Sequence, residues 1–217
     1  MRRLICIVSI VVLFISAVSA QKVENFQGVS GSWGWETFDG RRNSAIIQDG
    51  QMVMSAQRSI NYCLFFCLIR IPIRQVPPTM ITTQFPVDVS RDFTVRTEFL
   101  LPRLRADIPF GMIFDETGAD GILIVRGNRR NQSRVTLFSH GTRYHHAITY
   151  RLPNRNAMFT MDVLNRDGSL SIDINGVTAF MGVNHRFTTP TMGFMVAGGR
   201  MRVQEVVIHQ LPTEEED

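Results

Sequence analysis

Lysine is nearly missing from this 217-residue chain: Lys22 is the single lysine among 23 Lys and Arg residues. Arginine grips carboxylate, phosphate and sulfate with a planar fork that lysine lacks. Two explanations stay open, genomic base composition and preference for an acidic ligand. Cysteine is scarce as well. Three cysteines exclude a disulfide-dense scaffold, and 16 Gly with 9 Pro exclude a collagen-like or low-complexity chain. With 44% hydrophobic and 19% charged residues, the chain is not disordered. No window shows the apolar spacing of an amphipathic helix, and no period of 20–50 residues repeats. A nucleophile-elbow motif of the G-x-S-x-G type is also missing.

What is present begins with a leader. Arg2 and Arg3 precede a nearly unbroken apolar run over residues 4–15, and Val18 and Ala20 place small side chains at the −3 and −1 positions before Gln21. Residues 1–20 therefore read as a cleaved secretory signal, the apolar run being shorter than the ~20 residues that span a bilayer. No other stretch is long enough to span, so no membrane span is expected after cleavage. The expected location is secreted, periplasmic or on the cell surface. Losing Arg2 and Arg3 lowers the formal net charge from +4 to +2. Such a balance in an exported chain excludes nucleic acid as the expected partner. Residues 21–212 read as one domain. Residues 213–217 form an acidic tail carrying Glu214, Glu215, Glu216 and Asp217.

Cys63 and Cys67 remain in the mature chain. Four positions apart on a straight strand they would lie ~13 Å from each other, too far for a bridge. Either the chain turns between them and they form a disulfide, or they are free buried thiols.

Between frequent Gly and Pro breaks, apolar residues alternate with period two. Phe93, Val95, Thr97, Phe99 and Leu101 share one face; Phe159, Met161 and Val163 share another; Leu170, Ile172 and Ile174 a third. Asp167-Gly168 and Asn175-Gly176 are tight-turn pairs that join strands. Further strands are expected over 45–48, 51–55, 62–71, 80–85, 110–115, 122–126, 135–139, 145–150, 177–181, 192–196 and 201–209. The last loses its alternation at Glu205-Val206, which predicts a bulge. The fold class is all-β: a two-sheet antiparallel β-sandwich of the jelly-roll kind.

Gln48-Asp49-Gly50-Gln51-Met52-Val53-Met54, then Asp92-Phe93-Thr94-Val95, then Phe110-Gly111-Met112-Ile113-Phe114-Asp115, Ile172-Asp173-Ile174-Asn175-Gly176-Val177 and Met192-Gly193-Phe194-Met195-Val196 appear in a telling order. Over residues 33–210 the chain resembles the concanavalin A-like lectin/glucanase superfamily. That superfamily includes laminin-G-like sandwiches and exported bacterial domains labelled 3-keto-disaccharide hydrolases. The resemblance implies a fold more strongly than a function. Its glucanases carry an E-x-D-x-E triplet on one strand, and this chain has none. No catalytic residue is therefore assigned.

Binding chemistry is richer. Trp33 and Trp35, two apart, would share a strand face and offer flat surfaces to sugar rings, unless they belong to the core. Arg143, Tyr144 and His145 adjoin one another, and Arg126 opens the densest basic stretch, 126–134. These six residues form the expected ligand site, with a glycan as partner, acidic if the arginine bias is functional. His140 and His146 would face each other across a hairpin, but no third metal ligand is evident. Asp115, Glu116 and Asp120 would line a Ca²⁺ loop or an ordinary polar turn; no other cofactor is expected. Three readings follow: an exported non-catalytic carbohydrate-binding or surface-interaction module, a glycan-cleaving hydrolase with carboxylates from separate strands, and a structural protein of the cell envelope.

Overall fold

The structure is a computed structural model and describes residues 21–28, 31–57, 60–64, 69–74, 77–103, 109–126, 133–139, 142–148, 155–187 and 189–212. Every regular element among them is a strand. In chain order these begin with β1 (Gln21–Glu24), β2 (Phe38–Asp39), β3 (Asn43–Gln48), β4 (Gln51–Ala56), β5 (Ile60–Leu64) and β6 (Ile69–Arg74). They continue with β7 (Thr79–Gln84), β8 (Phe93–Arg103), β9 (Pro109–Ile113), β10 (Gly121–Arg126), β11 (Ser133–Ser139) and β12 (Thr142–Ile148). The last are β13 (Arg155–Arg166), β14 (Ser169–Ile174), β15 (Val177–Asn184), β16 (Thr191–Val196) and β17 (Gly199–Gln210).

Two antiparallel sheets form the sandwich. The larger runs β15-β14-β13-β8-β17-β4-β3-β2, with β1 also on β17. The smaller runs β12-β11-β10-β9-β16-β7. Their inner faces meet through aromatic rings: Phe99 stacks on Phe159 within the larger sheet at 4.9 Å, and meets Phe194 of the smaller sheet edge-on at 5.7 Å. Phe110 contacts Phe159 across the same layer at 5.2 Å. The period-two pattern names this core correctly. Phe93, Val95, Phe99, Phe110, Met112, Phe114, Phe159, Met161, Ile172, Ile174, Phe194 and Val196 are all buried, because alternate side chains on a strand leave the sheet on the same side.

The turns follow their chemistry too. Asp167 and Gly168 take φ of 51° and 71° in the β13–β14 hairpin, the signs a type I′ turn requires. A register shift in β17 lies between Val203 and Glu205, beside the position where the alternation falters. One expectation needs correcting. The apolar run expected as a single strand over 62–71 is instead β5 and β6, a separate two-stranded hairpin with Leu64 opposite Ile69. Hydrophobicity alone does not reveal a reversal inside an apolar run. Cys63 lies opposite Arg70 on this hairpin; its side chain and Cys67, and with them the disulfide, lie outside the described residues. So do residues 1–20, residues 213–217, His140 and most of the basic stretch.

On the exposed face of the larger sheet, Asp162 is the register partner of both Arg96 and Asp173. Like charges directly opposite destabilise a ladder. The Arg96–Asp162 ion pair, 3.7 Å long and solvent-exposed, offsets that repulsion. The outer face of the smaller sheet carries a second apolar cluster of Ile113, Leu123 and Met195 with Met80 and Phe138. The 114–120 loop folds over part of it, since Gly118 sits against the sulfurs of Met80 and Met195.

Candidate functional site

The loop after β1 is organised by one carboxylate. Glu24 is fully buried. Its Oε1 accepts the backbone N–H groups of Phe26 at 2.7 Å and Ser32 at 3.2 Å. Its Oε2 accepts the backbone N–H of Trp33 at 2.9 Å and the indole N–H of Trp35 at 3.1 Å. Burying a charge is costly unless donors replace the lost water, and here four do. Gly31 lets the loop close this tightly: a Cβ there would meet Glu24 Oε2 and Trp35 Cδ1, each at 2.9 Å, and its φ is +67°.

This arrangement separates the two tryptophans. They do not lie on a strand as expected; residues 31–34 form a turn. Trp35 is 1% exposed, stacked on Phe194 at 5.4 Å and tilted against Phe26. Its faces are spent on the core, which removes it from the ligand site. Trp33 is half-buried and packs against the core with the rest of its ring toward solvent. It is pinned on both sides, by Glu24 on its N–H and by the Thr83 hydroxyl, which donates to its carbonyl.

Trp33 forms one wall of a groove of about 660 Å³. Gly34 and Glu36 continue that wall. Thr82, Thr83 and Gln84 of β7 and Thr191 of β16 make the floor, and Glu116 of the 114–120 loop stands opposite. Glu36 and Glu116 are both exposed. The groove thus combines a partial aromatic face, two carboxylates from separate loops, and hydroxyl and amide groups. Such a surface can stack on an apolar ring face and hydrogen-bond its hydroxyls.

The remaining expected residues are elsewhere. Arg143, Tyr144 and His145 lie on β12, at the opposite edge of the sheet from β7. Five strand spacings make that ~24 Å, so Trp33 and this trio cannot share one small ligand. The pleat splits the trio as well. Arg143 and His145 point outward, with the guanidinium 5.3 Å over the Phe138 ring and His145 Nδ1 3.0 Å from Thr136 Oγ1. Tyr144 lies on the other side of the strand and is 38% exposed. There too is His146, 6.0 Å from the Phe180 ring of β15. Arg126 ends β10 opposite Ser133; its side chain is outside the described residues.

The acidic loop does not gather as a Ca²⁺ site would require. Asp115 Oδ2 instead accepts from Thr117 Oγ1 at 2.8 Å and from the Ala119 N–H at 3.2 Å. Glu116 turns to the groove, and Asp120 is buried. Among the described residues no three His, Cys, Asp or Glu side chains are grouped to hold a metal ion. Sequence reasoning missed Glu24, Glu36, Thr82 and Gln84, none of which stands in any local motif.

No family model and no curated protein matches the chain. Solved structures do. The carbohydrate binding module CBM66 from Bacillus subtilis is 11% identical with a TM-score of 0.53, over 82% of this chain and 96% of that one. The Bacillus licheniformis beta-glucanase is 10% identical with a TM-score of 0.56, over 90% of this chain and 100% of that one. The laminarinase catalytic domain of Thermotoga maritima is 13% identical with a TM-score of 0.56, over 88% and 98%. At such identities the likeness shows the fold: this chain is a concanavalin A-like jelly-roll sandwich.

Proposed function

We infer that this protein is an exported, non-catalytic carbohydrate-binding module whose site is the Trp33 groove. The observation that carries the reading is the partly exposed Trp33, whose backbone is held at both its N–H and its carbonyl, in an open groove with Thr82, Gln84 and two carboxylates. The fold is shared by a carbohydrate-binding module and by glucanases, which supports it. Export rests on the leader of residues 1–20. Glu36 and Glu116 give the groove negative charge, which favours a neutral glycan here over the acidic one that the arginine excess pointed to. Arg126, Arg143, Tyr144 and His145 are left as a separate polar edge around β12. Stacking and hydroxyl hydrogen bonds are individually weak, so affinity is expected at ~1 μM or poorer, about −8 kcal/mol at most. A glycan array followed by calorimetry, run on the natural chain and on Trp33→Ala, tests this. Binding that Trp33→Ala abolishes supports it. A folded protein that binds no glycan points to a structural envelope role.

A second reading, a hydrolase, draws on Glu36 and Glu116 facing one groove from separate loops, because glycoside hydrolysis needs two carboxyls on one bond. Reducing-sugar release from a polysaccharide, lost in Glu36→Gln or Glu116→Gln, would establish it over the non-catalytic one.

A further inference from the structure

A second concavity, of about 1000 Å³, opens where the loops at one end of the sandwich meet, and it shares no lining residue with the Trp33 groove. Three guanidiniums line it from three separate segments: Arg91 ahead of β8, Arg166 at the β13–β14 turn and Arg186 after β15. Two carboxylates, Asp92 and Asp167, stand against them. The Asp92 carboxylate also accepts the Asp167 backbone N–H at 2.8 Å, so it helps to build the turn. Three cations against two anions leave the wall positive, and each guanidinium offers five N–H donors and can hold more than one partner. Phe187 adds an apolar wall.

Two buried polar atoms in this wall have no partner among the described residues. Arg91 Nε is a donor without an acceptor, and Asn165 Oδ1 is an acceptor without a donor. Asn165 is only 4% exposed, and its Nδ2 donates to the Arg91 carbonyl at 3.5 Å, so the two residues adjoin. Leaving such atoms unpaired costs about 1–3 kcal/mol each, and native structures rarely keep them without a reason. A ligand that satisfies both must bring an acceptor for the arginine and a donor for the amide oxygen. An acid group beside a hydroxyl does both, and a sugar ring carrying carboxylate or sulfate has that pair. The volume is at the upper end of the range for small-ligand sites, enough for a short oligosaccharide.

We propose that this end cavity binds an anionic saccharide, its acid group held by Arg91 and Arg186 and a ring hydroxyl donating to Asn165 Oδ1. It is a site apart from the Trp33 groove, and it gives the arginine excess a use that the groove does not.

The test is calorimetry on the natural chain with trigalacturonate, with a chondroitin sulfate disaccharide and with neutral galactotriose. At least one acidic sugar binds, the carboxylate and sulfate arms telling which acid group is taken, and galactotriose binds at least about tenfold more weakly, a difference of roughly 1.4 kcal/mol. Affinity falls as salt rises from about 0.05 to 0.5 M, because exposed charges are screened. Arg91→Gln and Arg186→Gln each weaken the acidic sugar about tenfold or more with the unfolding temperature unchanged. Arg186 is exposed, so its variant keeps the test valid should Arg91→Gln unfold. Trp33→Ala leaves acidic-sugar binding intact, whatever it does to a neutral glycan. The proposal is overturned if neither acidic sugar binds, if both arginine variants bind normally, if Trp33→Ala removes the binding, or if inorganic sulfate competes equally well. None of those outcomes bears on whether the groove binds a neutral glycan.

Discussion

Glu24 and Trp35 are joined inside the core, the indole N–H donating to Oε2 at 3.1 Å, and that bond links the first strand to the aromatic loop. The same oxygen holds the Trp33 N–H. A core contact and a groove residue therefore depend on one carboxylate. Glu24→Gln replaces an acceptor oxygen with an NH₂ group that faces donors. The expected loss is about 2–4 kcal/mol, since buried donors are left unpaired. Denaturant unfolding measures it, and a loss under about 0.5 kcal/mol would show that the carboxylate does not organise the loop. Groove binding should weaken along with stability.

The two tryptophans should separate cleanly on mutation. Trp35→Ala removes a ring packed between Phe26 and Phe194 and should cost about 3–5 kcal/mol. Trp33→Ala should cost far less stability and remove glycan binding. Equal stability losses would mean that Trp33 serves the core alone.

Gly193 lies where adjacent strands come close. A Cβ there would sit 2.2 Å from the Ile81 carbonyl oxygen of β7 and 3.1 Å from Ile113 Cγ1. Backbone cannot step aside as a flexible side chain can, so Gly193→Ala should break the β16–β7 pairing that supports the groove floor. The readout is soluble yield and unfolding temperature. Wild-type values would show that the sheet relaxes around the methyl group.

Asp88 gives a pH marker near the end cavity. The Ser90 hydroxyl, at 2.7 Å, and then the Ser90 backbone N–H, at 2.9 Å, hold its carboxyl below the usual 3.8. A lowered carboxyl stabilises the folded state above its ordinary value, and that contribution fades as pH falls through the lowered one. Asp88 is fully exposed, so the effect on stability is small. NMR titration should find Asp88 below 3.8, with Ser90→Ala bringing it back toward that value. An Asp88 that titrates alike in both proteins would sink the assignment.

Processing is checked by N-terminal sequencing of exported protein. The expected first residue is Gln21, the start of β1, which pairs with His209. Full-length chain held in the membrane would contradict the leader.

Most of the sheet framework was legible along the chain, because a strand buried on one face writes that burial as alternation, as Phe93 to Leu101 do. Asp167-Gly168 announced its hairpin through backbone sterics alone. The fold class, the core residues and the place where β17 irregularity begins were in this sense local facts, determined by the sequence by itself. The rest depended on which strands become neighbours. Trp33 and Trp35 have the same residue type and sit two positions apart, yet one is only partly buried at the rim of a groove and the other fills the core. The deciding carboxylate, Glu24, lies nine residues before Trp33 and acts only once β1 docks on β17. Glu116 meets Trp33 across a groove although the two stand 83 positions apart in the chain. Tyr144 and His145, adjacent in sequence, part to opposite faces of β12 and stand five strands from β7. Alternation encodes inside and outside, but carries no information on strand order, and strand order decides which side chains share a site.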